Sequence, residues 1–199
     1  MNFIWRETNG EDKKNFNDWH KKAKLKNNDY DNISVFLTDK TLLGNFIDNI
    51  TTSFPERLKA LTATLNNVPV GVVVAYIRNE PNLDNVITFE AIAVNPEFQK
   101  MGIGTAMVFD IVKNSDAILK DIPEYFFACI DKDNASSEAI FTKNGFKTDK
   151  IEHFDYYSYY LDKSDADLLK DKPEPSLDLA IKETLKLAKL QKNNIKTRK

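Results

Sequence analysis

The sequence predicts an α+β fold: two helices and mainly antiparallel strands in the first half, then an alternating β-α-β-α-β half. Three observations carry this. Asn66-Asn67 separates two strand-like runs, and asparagine tolerates the positive φ of a tight hairpin turn. The run Val70 to Ile77 is β-branched and apolar on both faces, which demands a central place in a sheet. After Val86, apolar runs of strand length alternate with segments of helical period.

The elements follow in order. Phe3 to Glu7 is a short strand closed by the turn signal Asn9-Gly10. Residues 11–26 carry Phe16, Trp19, Ala23 and Leu25 at roughly helical spacing, and 40–50 carry Leu42, Leu43, Phe46, Ile47 and Ile50; Asn27 to Asn32 is a polar break between them. Pro55 forbids helix continuation. Leu58–Leu65 and Val68–Ile77 form the hairpin, Asn79–Asn85 a loop, and Val86–Val94 a strand ended by Asn95-Pro96. Gly102–Lys113 has Ile103, Met107, Val108, Ile111 and Val112 at helical spacing. Tyr125–Ile130 reads as a buried strand, and Asn134–Lys143 as a short helix with the C-cap signature Asn144-Gly145. Residues 146–161 read as two strands or a hairpin, residues 163–175 as a linker stiffened by Pro173 and Pro175, and residues 176 to about 191 as a last helix.

Composition excludes several classes of function. A chain of 199 residues suits one domain or one domain with an appendage, and 13 Phe with 7 Tyr argue against disorder. A single cysteine excludes a disulfide scaffold and a cysteine-based zinc site, and two isolated histidines in no ligand spacing leave no metal site. No apolar run reaches the length of a membrane span and no signal peptide is visible, so a soluble, cytoplasmic protein is expected. The net charge of −2 hides an asymmetry: from Ser176 onward seven basic residues face two acidic ones, a segment of +5 on a body of −7. An acidic body favours cationic ligands and repels nucleic acid. The apolar stripe Leu177, Ile181, Leu185 and Ala188 reads as a helix docked on the body or on a partner subunit, its lysines in solvent.

The chemistry-bearing stretch runs from Phe89 to Thr105. A strand ends at Val94, and a helix begins near Gly102, whose unpaired N–H groups and partial positive charge suit a phosphate. A side chain at Gly102 or Gly104 would hold a pyrophosphate away from those donors. A P-loop would need Gly-Lys-Ser/Thr where this chain has Gly104-Thr105-Ala106, and a Rossmann fingerprint would need a small residue at Met107. Glu90, counted by period 2, falls on the strand face of Ile92 and Val94, where an unpaired carboxylate is costly to bury without a role. Cys129, in an apolar strand, reads as a core thiol, and His20 as a solvated helix residue.

Gln99-Lys-Met-Gly102-Ile-Gly104 resembles the Q/R-x-x-G-x-G/A signature of the GCN5-related N-acetyltransferase (GNAT) superfamily. A second match lies downstream, where Asn134, Ala139, Phe141 and Gly145-Phe146 resemble the family's "N…A..lY…GF" helix. The element order matches from Phe3 to Leu161, about four-fifths of the chain. The resemblance implies a three-layer sandwich: a mixed, mostly antiparallel sheet of six to seven strands flanked by helices. It implies a domain over residues 1–162 and an acetyl-CoA-dependent N-acetyltransferase, moving an acetyl group directly to a primary amine of a small molecule or peptide, without metal. In its terms the pyrophosphate sits on Gln99, Lys100, Met101, Gly102, Ile103, Gly104 and Thr105, and the pantetheine arm pairs with the strand edge Ile92-Ala93-Val94. A backbone N–H near Val94 polarises the thioester carbonyl, Asn134 contacts the arm or fixes the splay of the central strands, and Glu90 is the general base.

One position departs from the pattern. The family's usual acid is a tyrosine seven residues after the helix asparagine, and that position is Phe141, which can wall the cofactor sulfur but donates no proton. Water, or one of Tyr156, Tyr157, Tyr159 and Tyr160, then serves as acid. The alternative is a non-catalytic acyl-CoA-binding or regulatory module of the same fold. The resemblance leaves the acceptor open, with a lean towards polyamine, aminoglycoside or lysine-like amines, and it leaves a homodimer open.

Overall fold

A seven-stranded sheet in the order β1-β2-β3-β4-β5-β7-β6 organises the fold. The computed structural model describes residues 3–12, 14–16, 18–19, 57–78, 85–148, 155–173, 175, 181–182 and 184–186. The strands are β1 (Ile4–Glu7), β2 (Leu58–Leu65), β3 (Val68–Arg78), β4 (Val86–Val94), β5 (Tyr125–Asp131), β6 (Lys147–Thr148) and β7 (Tyr156–Asp162). The helices are α1 (Ile103–Lys113), α2 (Ser115–Ile118), α3 (Ala135–Lys143) and α4 (Lys163–Lys170). Every pairing is antiparallel except β4 with β5. The expected mixed, mostly antiparallel sheet of six to seven strands is therefore the observed one.

Local sequence explains the elements that frame the site. Asn66 and Asn67 turn the β2–β3 hairpin with φ of 50° and 64°, the paired left-handed geometry that matches strand twist. Asn9 is a helix cap: its side chain accepts from the Glu11 and Asp12 N–H groups, and Asp12 accepts in return from the Asn9 N–H at 2.9 Å. Residues 10–12, 14–16 and 18–19 are helical, as the reading of 11–26 expected; the rest of that helix and the one expected over 40–50 lie outside the described residues. Asp12 is fully buried and forked by Arg6 at 2.6 and 2.7 Å, which ties β1 to the following helix.

The main core lies on the sheet face covered by α1, α3 and α4, built from Leu65, Val73, Phe89, Met107, Ile111, Phe126 and Leu161 among others. The segment expected as a linker is partly structured. Residues 163–170 form α4, whose Ala166 and Leu169 join this core, because two apolar residues at i and i+3 make a stripe even on a highly charged helix. Ile181 and Leu185 also join the core, so the described part of the basic tail docks on the body, with Lys182 and Lys186 exposed. No helix among the described residues is long and apolar enough to cross a membrane.

Candidate active site

The site is built where the sheet comes apart. Strands β4 and β5 are paired only from Val86↔Tyr125 to Phe89↔Ala128, and beyond that level they have no ladder between them. The break coincides with a bulge in β4: Val74 pairs with Ala91 and Ala75 with Phe89, so Glu90 is the extra residue. The separated strands enclose a cleft of about 200 Å³ lined by residues 89–92 of β4, 128–131 of β5, and Asn134, Ser137 and Phe141 of α3.

The bulge corrects the facing of Glu90. Simple alternation placed it with Ile92 and Val94, but the period resets at Glu90 itself: Phe89 and Ile92 belong to the main core, while Ala91 packs with Val74 in a second cluster. Glu90 still reaches the cleft, on its rim. Glu90 is an exposed residue of that rim rather than the buried carboxylate expected, and partial desolvation beside the cleft raises its carboxyl above the usual glutamate range.

Cys129 is not a core thiol. Alternate residues of β5 turn to the core (Phe126, Ala128, Ile130), and Cys129 points the other way, exposed and facing the cleft. Burial first and the Glu90 charge second raise its thiol, which keeps it protonated and a poor nucleophile. Cys129, Asp131 and Ser137 are lining residues that sequence reasoning missed. Their only signal was the alternation within β5 and the i, i+4 spacing of Ser137 with Phe141.

Asn134 is the N-cap of α3, its side chain accepting from the Ser137 N–H at 3.0 Å. The far end of α3 is a Schellman motif: the Phe146 N–H donates to the Phe141 carbonyl at 3.1 Å and the Gly145 N–H to Thr142 at 3.0 Å. The apolar contact that accompanies the motif is the Phe141–Phe146 edge-on pair, 4.9 Å between centroids, and Phe89 closes the triangle at 5.5 and 6.2 Å. Phe141 therefore anchors α3 as well as walling the cleft. None of Tyr156, Tyr157, Tyr159 and Tyr160 lines the cleft. Tyr159 is buried on the core side, where burial and neighbouring Glu138 push its phenol up to about 12. His153 and His20 lie outside the described residues.

Beside the cleft, the loop from Asn95 to Gly102 presents the start of α1. Phe98, fully buried, pins the loop; Asn95 accepts from the Glu97 N–H at 3.1 Å and donates to the Pro69 carbonyl at 3.3 Å. Gln99 donates to the Val94 carbonyl at 3.3 Å. Lys100 and Gly102 both take left-handed φ, 63° and 79°, and Gly102 caps α1 without any side-chain hydrogen bond. The first N–H groups of α1, those of Ile103, Gly104 and Thr105, precede the first intrahelical bond, which Ala106 N–H makes to the Gly102 carbonyl, and such groups are what an anion would need. The two glycines serve different ends. Space around Gly102 is open and its φ is what a side chain would strain, whereas a Cβ on Gly104 would stand 2.7 Å from the flexible end of Ile140, at Cδ1, so Gly104 lets that side chain sit against α1. Gly104 therefore has a packing role beside the one expected of it at the turn. Met101 is half-buried, Ile103 and Ala93 are buried, and Ile92 and Val94 are half-buried against the core.

This arrangement offers a helix N-terminus whose first N–H groups have no side-chain cap, a β4 edge without a β5 partner and a carboxylate, with Gly104 of α1 beside Val94 at the end of β4. The sequence profile of the Acetyltransferase (GNAT) family matches residues 17–146. The chain belongs to that family. Solved structures agree with it at the level of fold. A spermidine N-acetyltransferase variant from Vibrio cholerae superposes with a TM-score of 0.57 at 15% identity, over 82% of this chain and 95% of its own. The aminoglycoside N(6')acetyltransferase of Legionella pneumophila gives 0.58 at 12%, over 84% and 97%. The N-acetyltransferase PseH of Campylobacter jejuni, in complex with acetyl coenzyme A, gives 0.55 at 16%, over 81% and 99%. No match was found among curated proteins. As a GNAT chain, this protein has Phe141 where the sequence resemblance to the family expects tyrosine.

Proposed function

We propose that this GNAT protein is an acetyl-CoA-dependent N-acetyltransferase acting on a primary amine. The observation that carries the reading is the β4 bulge at the β4–β5 splay, with the start of α1 packed beside Val94 at the end of the same strand. The residues fit the cosubstrate: the N–H groups of residues 103–105 would hold its pyrophosphate, and the edge of β4 beyond Phe89, without a strand partner on its β5 side, would receive the pantetheine arm. Bound there, acetyl-CoA supplies an activated acetyl thioester.

The chain's own groups then divide the work. A backbone N–H near Val94 donates to the thioester carbonyl, stabilising the charge that develops on its oxygen. Glu90 takes the proton from the incoming ammonium, directly or through one water, and its raised basicity matches that task. Asn134 and Ser137 orient the arm from the start of α3. With Phe141 unable to donate, the leaving thiolate is protonated by water. The charged residues that line the cleft are Glu90 and Asp131, and the spermidine and aminoglycoside acetyltransferases share the fold; both favour a cationic acceptor. CoA release measured against a panel of polyamines, aminoglycosides and lysine peptides tests this directly, with turnover expected for at least one cationic amine.

Phe141 favours a second reading, a non-catalytic acyl-CoA-binding module. Acetyl-CoA binding without CoA release on any amine would select it.

A further inference from the structure

We infer that Asn144 is a positioning residue that sets the distance between the anion-binding turn and the acyl cleft; this rests on the acetyl-CoA reading above. Asn144 is almost fully buried, 1% exposed, which is costly for an amide unless its hydrogen bonds are made. They are made across two helices: Nδ2 donates to the Thr105 carbonyl of α1 at 3.1 Å and to the Ile140 carbonyl of α3 at 2.9 Å. At the same crossing, Gly104 gives Ile140 the room to sit against α1. Steric fit and hydrogen bonding thus converge on one contact between the first turn of α1 and the last turn of α3.

The location gives the contact its meaning. The first turn of α1 carries the unpaired N–H groups, and the first turn of α3 carries Asn134 and Ser137 in the cleft. Asn134 and Asn144 flank the nine residues of α3, ten steps of about 1.5 Å or about 15 Å apart. Helix α3 is therefore a rod with one end in the cleft and the other fastened to the anion-binding turn. A ligand gripped at both ends needs that span fixed beforehand, because a loose span must be ordered on binding. A C-cap role alone would need only the bond to Ile140; the bond to Thr105 is what joins the two sites.

The test uses the full chain and CoA as probe. In Asn144→Ala the CoA dissociation constant, read by calorimetry, is expected to rise about five- to tenfold. At saturating CoA, amide hydrogen exchange should still show protection at residues 103–106, while protection at 135–141, present in the wild type, is lost. Retention of both protected segments with an unchanged dissociation constant would overturn the proposal, as would joint loss of both. Should the alanine variant not fold, Asn144→Gln keeps the amide one methylene out of place and should show the same split in weaker form. A wild type that gains no protection in either segment would instead remove the acetyl-CoA reading itself.

Discussion

The two ends of the site are made by different means. The turn from Gln99 to Thr105 acts through backbone: two left-handed residues and an uncapped helix expose N–H groups, and side chains matter chiefly by being absent or small. The cleft from Phe89 to Asp131 presents side chains beside a free β4 edge, on strands that no longer pair with each other though β4 keeps its ladder to β3 and β5 its ladder to β7, and its key feature is a bulge. The comparison teaches that binding and chemistry are separable here: damage to the turn should weaken the cofactor grip, and damage to the cleft should slow transfer.

The largest effect should come from the cleft. Glu90→Gln is expected to lower kcat at pH 7 about a hundredfold while leaving acetyl-CoA affinity within about twofold. Because burial penalises the ionised carboxylate, the variant should melt no lower than the wild type. The pH profile sharpens the same point. Glu90 works as a base only when ionised, so kcat/KM should climb with rising pH through a midpoint above 4.5, and Glu90→Gln should flatten that limb. A variant with wild-type turnover removes Glu90 from the mechanism.

The turn should give the next largest effect, and in the opposite parameter. Gly102→Val should raise the acetyl-CoA dissociation constant about tenfold, or ~1.4 kcal/mol, with kcat at saturation little changed. The left-handed φ adds a stability cost of about 1 kcal/mol. Gly104→Ala should instead leave Tm nearly unchanged, since its Cβ displaces only the flexible end of Ile140 and alanine favours the helix. Unaltered affinity in a folded Gly102 variant would break the distinction.

Away from both ends, Asp12→Ala should cost about 1 kcal/mol in urea unfolding; Arg6, partly exposed, recovers some hydration when its partner goes. Burial pushes the Asp12 carboxyl up, but the Arg6 and Asn9 hydrogen bonds outweigh it and hold the group below its usual range. Its contribution is therefore full above the unfolded value near 4 and is lost as pH falls through the lower folded value. The smallest effect is a gain: Phe141→Tyr supplies the missing phenol beside the cleft and should raise kcat a few-fold without moving Tm, since the aromatic contacts to Phe89 and Phe146 survive. Unchanged turnover would show that water is an adequate acid.

What was legible in the sequence follows the same division. The hairpin at Asn66-Asn67, the glycine turn and the Asn134 cap are local signals, set by the φ preferences and side-chain hydrogen bonds of a few consecutive residues. The bulge at Glu90 is not local: period-2 counting assumes a straight strand, and only the register against Val74 and Ala75 shows the extra residue. Cys129 was misplaced because an apolar strand suggests burial on both faces, whereas β5 stands beside the splay with one face open. Helix α4 was read as linker because its charges mask the Ala166 and Leu169 stripe, and Asn144 was read as a cap because its second bond crosses to α1.

Calorimetric titration of the full chain with acetyl-CoA tests the central claim most directly. Micromolar binding in the wild type, weakened about tenfold by Gly102→Val and left intact by Glu90→Gln, is the predicted result. Absence of binding at millimolar acetyl-CoA, or equal loss in both variants, would contradict the account.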